Sequence, residues 1–287
     1  LLCFLLKSKK YLNYTFNITY SLGAIRDMNF SIDAFSLDFF SLHNKVAIVT
    51  GAAGELGRGL CSALAKAGAN LLLVDIKEPD NKYLKRLTHE DVDVEFMTID
   101  ITKPDATSTI INRCLECFGQ LDILVNNAGI CNINRPIDFN RNDWDPMINL
   151  NLNAAFDMSQ AALNIFVPQR RGKIINMCSV LSFHGGRWSP GYAATKHALA
   201  GLTKAYADDF AEYNIQINGI APGYYVSEMT AIIYNNPKIK ELIKGRIPAQ
   251  RWGRAQDLMG AMVFLASAAS DYVNGQLLVI DGGYSIR

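Results

Sequence analysis

No run of apolar residues in this chain approaches the ~18 needed to cross a bilayer, so nothing in it marks a membrane partner. Charge is scarce and balanced: Lys, Arg, Asp and Glu make up 19% of the 287 residues, and the net charge is +1. A nucleic-acid partner would need basic residues gathered on one face, whereas acids and bases here are mixed along the chain. Cysteine is sparse as well. Cys3, Cys61, Cys114, Cys117, Cys131 and Cys178 are scattered, mostly in apolar contexts, which fits reduced thiols and a cytoplasmic location. Cys114-Leu-Glu-Cys117 has CxxC spacing, but a zinc site needs a second ligand pair, and the four histidines are dispersed. The pair reads as free thiols in a helix, and no metal is expected.

What the chain does have is apolar bulk, 49% of its residues, enough for a sizeable core. Residues 1–27 stand apart from the pattern that follows. The first residue is Leu, the first Met is Met28, and Lys7, Lys9 and Lys10 follow the opening apolar run instead of preceding it, the reverse of a secretory signal. The expectation is an extension outside the fold, disordered or lying upstream of the natural start, with an N-terminal arm as the alternative. From Met28, Phe30, Ile32, Phe35, Leu37, Phe39 and Phe40 form an apolar lead-in.

Then a regular alternation sets in. Strand-like stretches occur at Lys45 to Thr50, Asn70 to Asp75, Val92 to Ile99, Leu121 to Val125, Lys173 to Met177, Ile215 to Ile220 and Leu277 to Ile280, with helical patterns between most of them. Short apolar strands bounded by Gly and Asp, alternating with helices, predict an α/β fold. Its doubly wound parallel sheet has about seven strands in three layers, as a single domain over 28–287.

Thr50-Gly-Ala-Ala-Gly-Glu-Leu-Gly57 falls between the first strand and the first helix, where such a sheet takes a dinucleotide on glycine backbone and helix N–H groups. Gly51, Gly54, Leu56 and Gly57 are the expected contacts there. Asp75 ends the second strand, placed for the ribose 2′-hydroxyl of NAD and repelling a 2′-phosphate. Lys77 softens that preference, which still favours NAD over NADP. Asp100 and Ile101 follow the third strand and can cap the adenine end. Asn126-Asn127-Ala128-Gly129 follows the fourth, where small residues let the cofactor lie close.

The stretch Ser179 to Lys196 carries the chemistry. If Tyr192 opens a helix, Lys196 lies one turn on, on the same face. An ammonium there favours the phenolate and lowers a pKa that is ~10 in a free tyrosine. A tyrosine so tuned passes a proton to or from an alcohol or carbonyl oxygen, and Ser179 can hold that oxygen.

Together these pieces resemble the short-chain dehydrogenase/reductase family, from about Asn44 to Arg287. The resemblance implies a Rossmann-like fold. It also implies Tyr192 as general acid/base, Lys196 binding the nicotinamide ribose and tuning the tyrosine, Ser179 holding the reacting oxygen, and Asn151 supporting a water and proton path. Its neighbours Asn149 and Asn153 are expected to be structural. Pro222-Gly223 resembles the loop that binds the nicotinamide carboxamide, with Tyr225 beside it and Ser227 where threonine is usual. Glu55 replaces a usual glycine and is expected to point into solvent or pair with a base.

Within the family, several stretches resemble sugar-acid dehydrogenases of the 2-dehydro-3-deoxy-D-gluconate, 2-deoxy-D-gluconate or gluconate type. Such a small-molecule substrate needs a cation for its carboxylate, and arginine suits that. Arg187 and Arg135 are the candidates, because Asn132 and Ile133 stand where those relatives have two arginines. His184 and Trp188 are further candidates for the substrate pocket. Glu228 to Gly245 is expected to form a mobile lid. The apolar C-terminal segment and long helices, with the family habit, imply a homotetramer. The alternatives are a polyol or ketose reductase, an acyl-thioester reductase, and a non-catalytic NAD-binding regulatory protein.

Overall fold

The apolar stretches become strands because both faces of each are covered. The computed structural model describes residues 36–88 and 91–287, so the expected extension over 1–27 and most of the apolar lead-in lie outside the described residues. Among the described residues, seven strands pair in parallel: β1 (Val46–Thr50), β2 (Asn70–Asp75), β3 (Val94–Thr98), β4 (Ile123–Asn126), β5 (Gly172–Met177), β6 (Ile215–Pro222) and β7 (Leu277–Ile280). Their order is β3-β2-β1-β4-β5-β6-β7. Asp38–Arg287 forms one compact unit.

Along β1, Ala47 and Val49 enter one core while Val46 and Ile48 enter the other, as a period-2 strand requires. The first core also takes Leu60 and Leu64 of α1 (Glu55–Lys66) and Leu258 and Met262 of α9 (Gln256–Ala266). The second takes Ile110 of α3 (Ala106–Phe118), Met158 of α5 (Ala154–Gln169) and Ala207 of α6 (Pro190–Phe210). Helix layers thus cover both faces of the sheet, as the alternation predicts. Cys114 and Cys117 both lie in α3, the first buried and the second exposed, and both are free thiols. Shorter helices are α2 (Asn81–Leu87), α4 (Arg141–Ile148), α7 (Ala231–Tyr234) and α8 (Pro237–Arg246).

Some boundaries differ from the expectation. The fourth strand starts at Ile123, two residues later than the apolar run, because Asp122 turns its carboxylate back to accept the Val46 N–H at 3.0 Å. Because β1 lies between β2 and β4, the sheet changes its direction of growth there. The C-terminal ends of these strands part into a crevice, the ligand position of open α/β sheets.

Beneath that crevice runs a buried polar ladder. Asn126 and Asn176 are paired across β4 and β5. The Asn126 amide donates to Asn176 Oδ1 and Ser159 Oγ, both at 2.9 Å. Asn176 Nδ2 in turn donates to Thr203 Oγ1 at 2.9 Å. The sheet is thereby tied to α5 and α6, which carry the site. Asn176→Ala would leave Asn126 Nδ2 and Thr203 short of partners in a dry interior. We expect it to lower the unfolding free energy by about 1–3 kcal/mol, read as a shift in the urea midpoint. An unchanged midpoint would show the ladder to be idle.

Candidate active site

The turn after β1 is built for close approach. Gly51 has φ +66°, and a Cβ there would lie 2.8 Å from Ala128 Cα and 2.9 Å from Asn127 Nδ2. A Cβ on Gly57 would run into the Gly51 carbonyl, whereas one on Gly54 would meet only ordinary contact at 3.6 Å. Gly54 is the N-cap of α1, and no side chain caps that end among the described residues. The first N–H groups of α1 therefore lack a side-chain cap, which suits a pyrophosphate. The glycine cradle and open helix end fit a dinucleotide.

The neighbouring loop is stitched to this turn. Asn127 Nδ2 donates to the carbonyls of Thr50 and Gly51, both at 2.9 Å. Thr50 Oγ1 accepts the N–H groups of Asn127 and Ala128 at 3.0 and 3.1 Å. The Asn127 side chain, expected at the cofactor, thus holds two loops together, and Asn126 lies in the ladder below. Asp75 fixes its carboxylate with N–H groups from Ala53 at 2.9 Å and Lys77 at 3.0 Å. Asp100 turns inward on its own loop, accepting the Thr102 N–H and hydroxyl at 3.0 and 2.7 Å. These bonds, with Lys103 beside it, hold its carboxyl below the usual range. The side chain of Ile101 is buried in the second core.

At the far end of the crevice four polar side chains converge. Ser189 and Pro190 start α6, so Tyr192 and Lys196 fall one turn apart on it, as expected. Lys196 Nζ lies 5.4 Å from the Tyr192 ring centroid and donates to the Met177 carbonyl at 2.7 Å. Asn151 sits in a π-helical turn, Asn149–Asn153, between α4 and α5. Its amide closes both backbone groups of Ile130, accepting the N–H and donating to the carbonyl at 2.9 Å each, and also donates to Thr195 Oγ1 at 3.2 Å. A Cβ on Gly129 would meet Asn151 Oδ1 at 3.3 Å and Lys196 Nζ at 3.7 Å, so this glycine lets both approach. The Asn153 amide donates to Asn149 Oδ1 at 3.1 Å, on the exposed side. Ser179 caps a short turn, accepting the Leu181 N–H at 3.1 Å.

Burial acts on both titratable members. It pushes the Tyr192 phenol above its ordinary value, Cys131 adds to that, and a hydrogen bond from Ser179 works against it. It pulls the Lys196 ammonium down, against Cys178 and Cys131. What the arrangement offers is a phenol, a hydroxyl and an amine gathered near one another, with the glycine turn on the same edge of the sheet.

The family model for enoyl-(acyl carrier protein) reductase matches residues 51–285, from the glycine turn through the tyrosine and lysine to the C-terminal strand. The chain belongs to the short-chain dehydrogenase/reductase family. It is 55% identical over 257 residues to the uncharacterized oxidoreductase YgcW of Escherichia coli (strain K12), covering 90% of this chain and 98% of that one. It is 42% identical to 2-dehydro-3-deoxy-D-gluconate 5-dehydrogenase of the same strain, over 88% of this chain and 99% of the relative. A solved gluconate 5-dehydrogenase from Burkholderia cenocepacia J2315, in complex with NADP and tartrate, superposes with a TM-score of 0.83 at 36% identity, over 88% of this chain and all of that one. Membership makes this chain an NAD(P)-dependent oxidoreductase acting on a CH–OH group.

The departures from the family pattern find simple places. Glu55 is exposed in the first turn of α1, where an acid suits the helix dipole. The Tyr225 ring points into the core: its hydroxyl donates to the Ile280 carbonyl at 3.0 Å, and the ring fills the space over Gly253. A Cβ on Gly223 would lie 2.6 Å from Asp281 Cβ, so β6 ends in close contact with the turn after β7. Ser227 bonds to Thr230 at 3.2 Å, opening the α7 segment. His184, Arg187 and Trp188 are all exposed on one loop, with the Arg187 guanidinium 4.9 Å from the Trp188 ring. Arg135 is paired with Asp138 at 3.4 Å. The site residues that sequence reasoning missed are Thr195, which holds Asn151, and Asn176 and Thr203 beneath it. An asparagine inside the otherwise apolar stretch Lys173 to Met177 was the available signal.

Tyr192→Phe is expected to keep dinucleotide binding and to reduce turnover by about 100-fold or more. A tyrosine acting as base must first lose its proton, and burial has raised its pKa. Alcohol oxidation should therefore climb with pH through the alkaline range, while carbonyl reduction, which needs the phenol, holds at neutral pH. Initial rates in both directions from pH 6 to 11 read this. Retained turnover in the phenylalanine variant, or a flat oxidation profile, contradicts it.

Proposed function

We propose that this enzyme interconverts a secondary alcohol and ketone of a sugar acid of the 2-dehydro-3-deoxy-D-gluconate, 2-deoxy-D-gluconate or gluconate type, with NAD preferred over NADP. The observation that carries the reading is the 42% identity, over nearly the full length of both chains, to a 2-dehydro-3-deoxy-D-gluconate 5-dehydrogenase. Nicotinamide, when bound, supplies or accepts the hydride. Gly51, Gly54, Leu56 and Gly57 would hold its pyrophosphate, Asp75 a ribose, and Pro222 and Gly223 the carboxamide end. Tyr192 takes the hydroxyl proton during oxidation and returns it during reduction. Ser179 orients that oxygen, Lys196 stabilises the phenolate, and Asn151 keeps the Ile130 loop in place and links the site to solvent. His184, Arg187 and Trp188 form one rim of the substrate pocket, and the α7–α8 segment closes over it. A neutral polyol or ketose is the second reading, since Asn132 and Ile133 stand in place of two arginines.

The preference for NAD is supported by the charges around Asp75. Its carboxylate is fixed by two N–H groups beside the glycine turn. Two cations near it are engaged elsewhere, Lys77 with Glu228 at 3.3 Å and Arg58 with Asp80 at 2.9 Å. The Burkholderia relative was solved with NADP, which counts against strict selection of NAD, so the discrimination we propose is a preference only. Exposed Leu278 and Val279 on the edge strand β7 support assembly, which we propose to be a homotetramer. The free thiols support a cytoplasmic location.

The substrate class is tested by following absorbance at 340 nm with NAD and a panel: 2-deoxy-D-gluconate, gluconate and the neutral polyol sorbitol, with 2-dehydro-3-deoxy-D-gluconate in the same assay. Turnover confined to the acids is the expected outcome, and turnover of sorbitol alone contradicts it. For the cofactor, Asp75→Asn should lower the ratio of kcat/KM for NAD over NADP by about tenfold. An unchanged ratio means that Asp75 does not discriminate.

A further inference from the structure

The α7–α8 segment does not rest on the two main cores. It has its own apolar cluster, in which Ile243, Ile247, Trp252 and Tyr284 pack with Val180 and Leu181, the residues that follow Ser179. Tyr224, next after Pro222-Gly223, belongs to the same cluster. Its ring meets the Tyr284 ring edge-on at 5.1 Å. The guanidinium of Arg246, the last residue of α8, lies 4.6 Å from the centre of the Tyr284 ring. The stack thus runs from the nicotinamide loop to the end of the lid helix, alongside the serine of the tetrad.

Arg246 differs from six other arginines of the chain. Arg58, Arg113, Arg135, Arg141, Arg171 and Arg251 each have an acidic partner. Arg246 has no ion pair among the described residues and is exposed, held by its face against an aromatic ring. A guanidinium stacked this way keeps its N–H edge available for a planar anion. Val180 and Leu181, in the same cluster as Tyr224 and Tyr284, tie this stack to the turn that Ser179 caps.

We propose that Arg246, braced on Tyr284, is the anchor for the substrate carboxylate. This rests on the sugar-acid reading above. It moves the anchor from the loop after β4, where Asn132 and Ile133 carry no charge, to the lid helix. Binding of the carboxylate then draws the end of α8 down over the reacting carbon. Arg187, stacked on Trp188 across the pocket, becomes a rim residue.

Steady-state kinetics with 2-deoxy-D-gluconate test this in the wild type, Arg246→Met, Arg246→Lys and Arg187→Ala. Arg246→Met should raise KM for the acid by about tenfold or more, with a far smaller change in kcat. Arg246→Lys should recover part of that loss, and Arg187→Ala should shift KM little. NADH binding, followed by fluorescence, checks that each variant is folded. If the wild type turns over the acid and Arg246→Met binds NADH with KM for the acid unchanged, the anchor is not Arg246. The same holds if Arg187→Ala alone raises KM. A wild type that ignores every acid overturns the sugar-acid reading itself, and this inference with it. If Arg246→Met fails to bind NADH, Arg246→Gln, which keeps a polar side chain but removes the charge, decides: a raised KM for the acid in a variant that binds NADH supports the anchor, and a wild-type KM overturns it.

Discussion

The structure depends on a stitch between two loops. The Asn127 amide and the Thr50 hydroxyl join the turn after β1 to the turn after β4 through four short hydrogen bonds. These are the strands that part at the crossover of the sheet, so the stitch sets how wide the crevice opens. On one side it fixes Gly51 and the end of α1, the dinucleotide cradle. On the other it fixes Gly129, against which Asn151 and Lys196 converge. Both halves of the reaction are thereby referred to one rigid seam, the kind of preorganisation that positioning in a site requires.

Electrostatics at the reacting end follow from burial. Dry surroundings push the tyrosine up and the lysine down, so both groups are biased toward their neutral forms. The Met177 carbonyl and the serine hydroxyl are what the protein itself sets against that bias. A phenol kept protonated is ready to give its proton to a carbonyl oxygen.

Much of this was legible in the residue order. The strands, the glycine turn, and the serine, tyrosine and lysine could be read because each signal is local: a run of apolar residues, a spacing of four, a cluster of glycines. What could not be read depends on partners far along the chain. Asn127 looks like a cofactor ligand until Thr50, 77 residues away, is seen to hold it. Tyr225 looks like a neighbour of the nicotinamide until its ring is found against Gly253 and the Ile280 carbonyl. Asn176 and Thr203 give no motif at all, since their pairing exists only once α6 lies on β5. Arg246 is likewise one cation among many until its neighbours across the fold are known.

The π-helical turn that carries Asn151 has a consequence for how this stretch can vary. It accommodates an additional residue relative to a regular helix, and each residue turns the helix by about 100°. Deleting one residue between Ile148 and Ala154 would give a smoother helix and swing everything on its N-terminal side around the axis. Substitutions here can be absorbed one at a time, but a change of length cannot, because the phase between α4 and α5 is what aims Asn151 at Ile130. In this segment, length is under tighter constraint than composition.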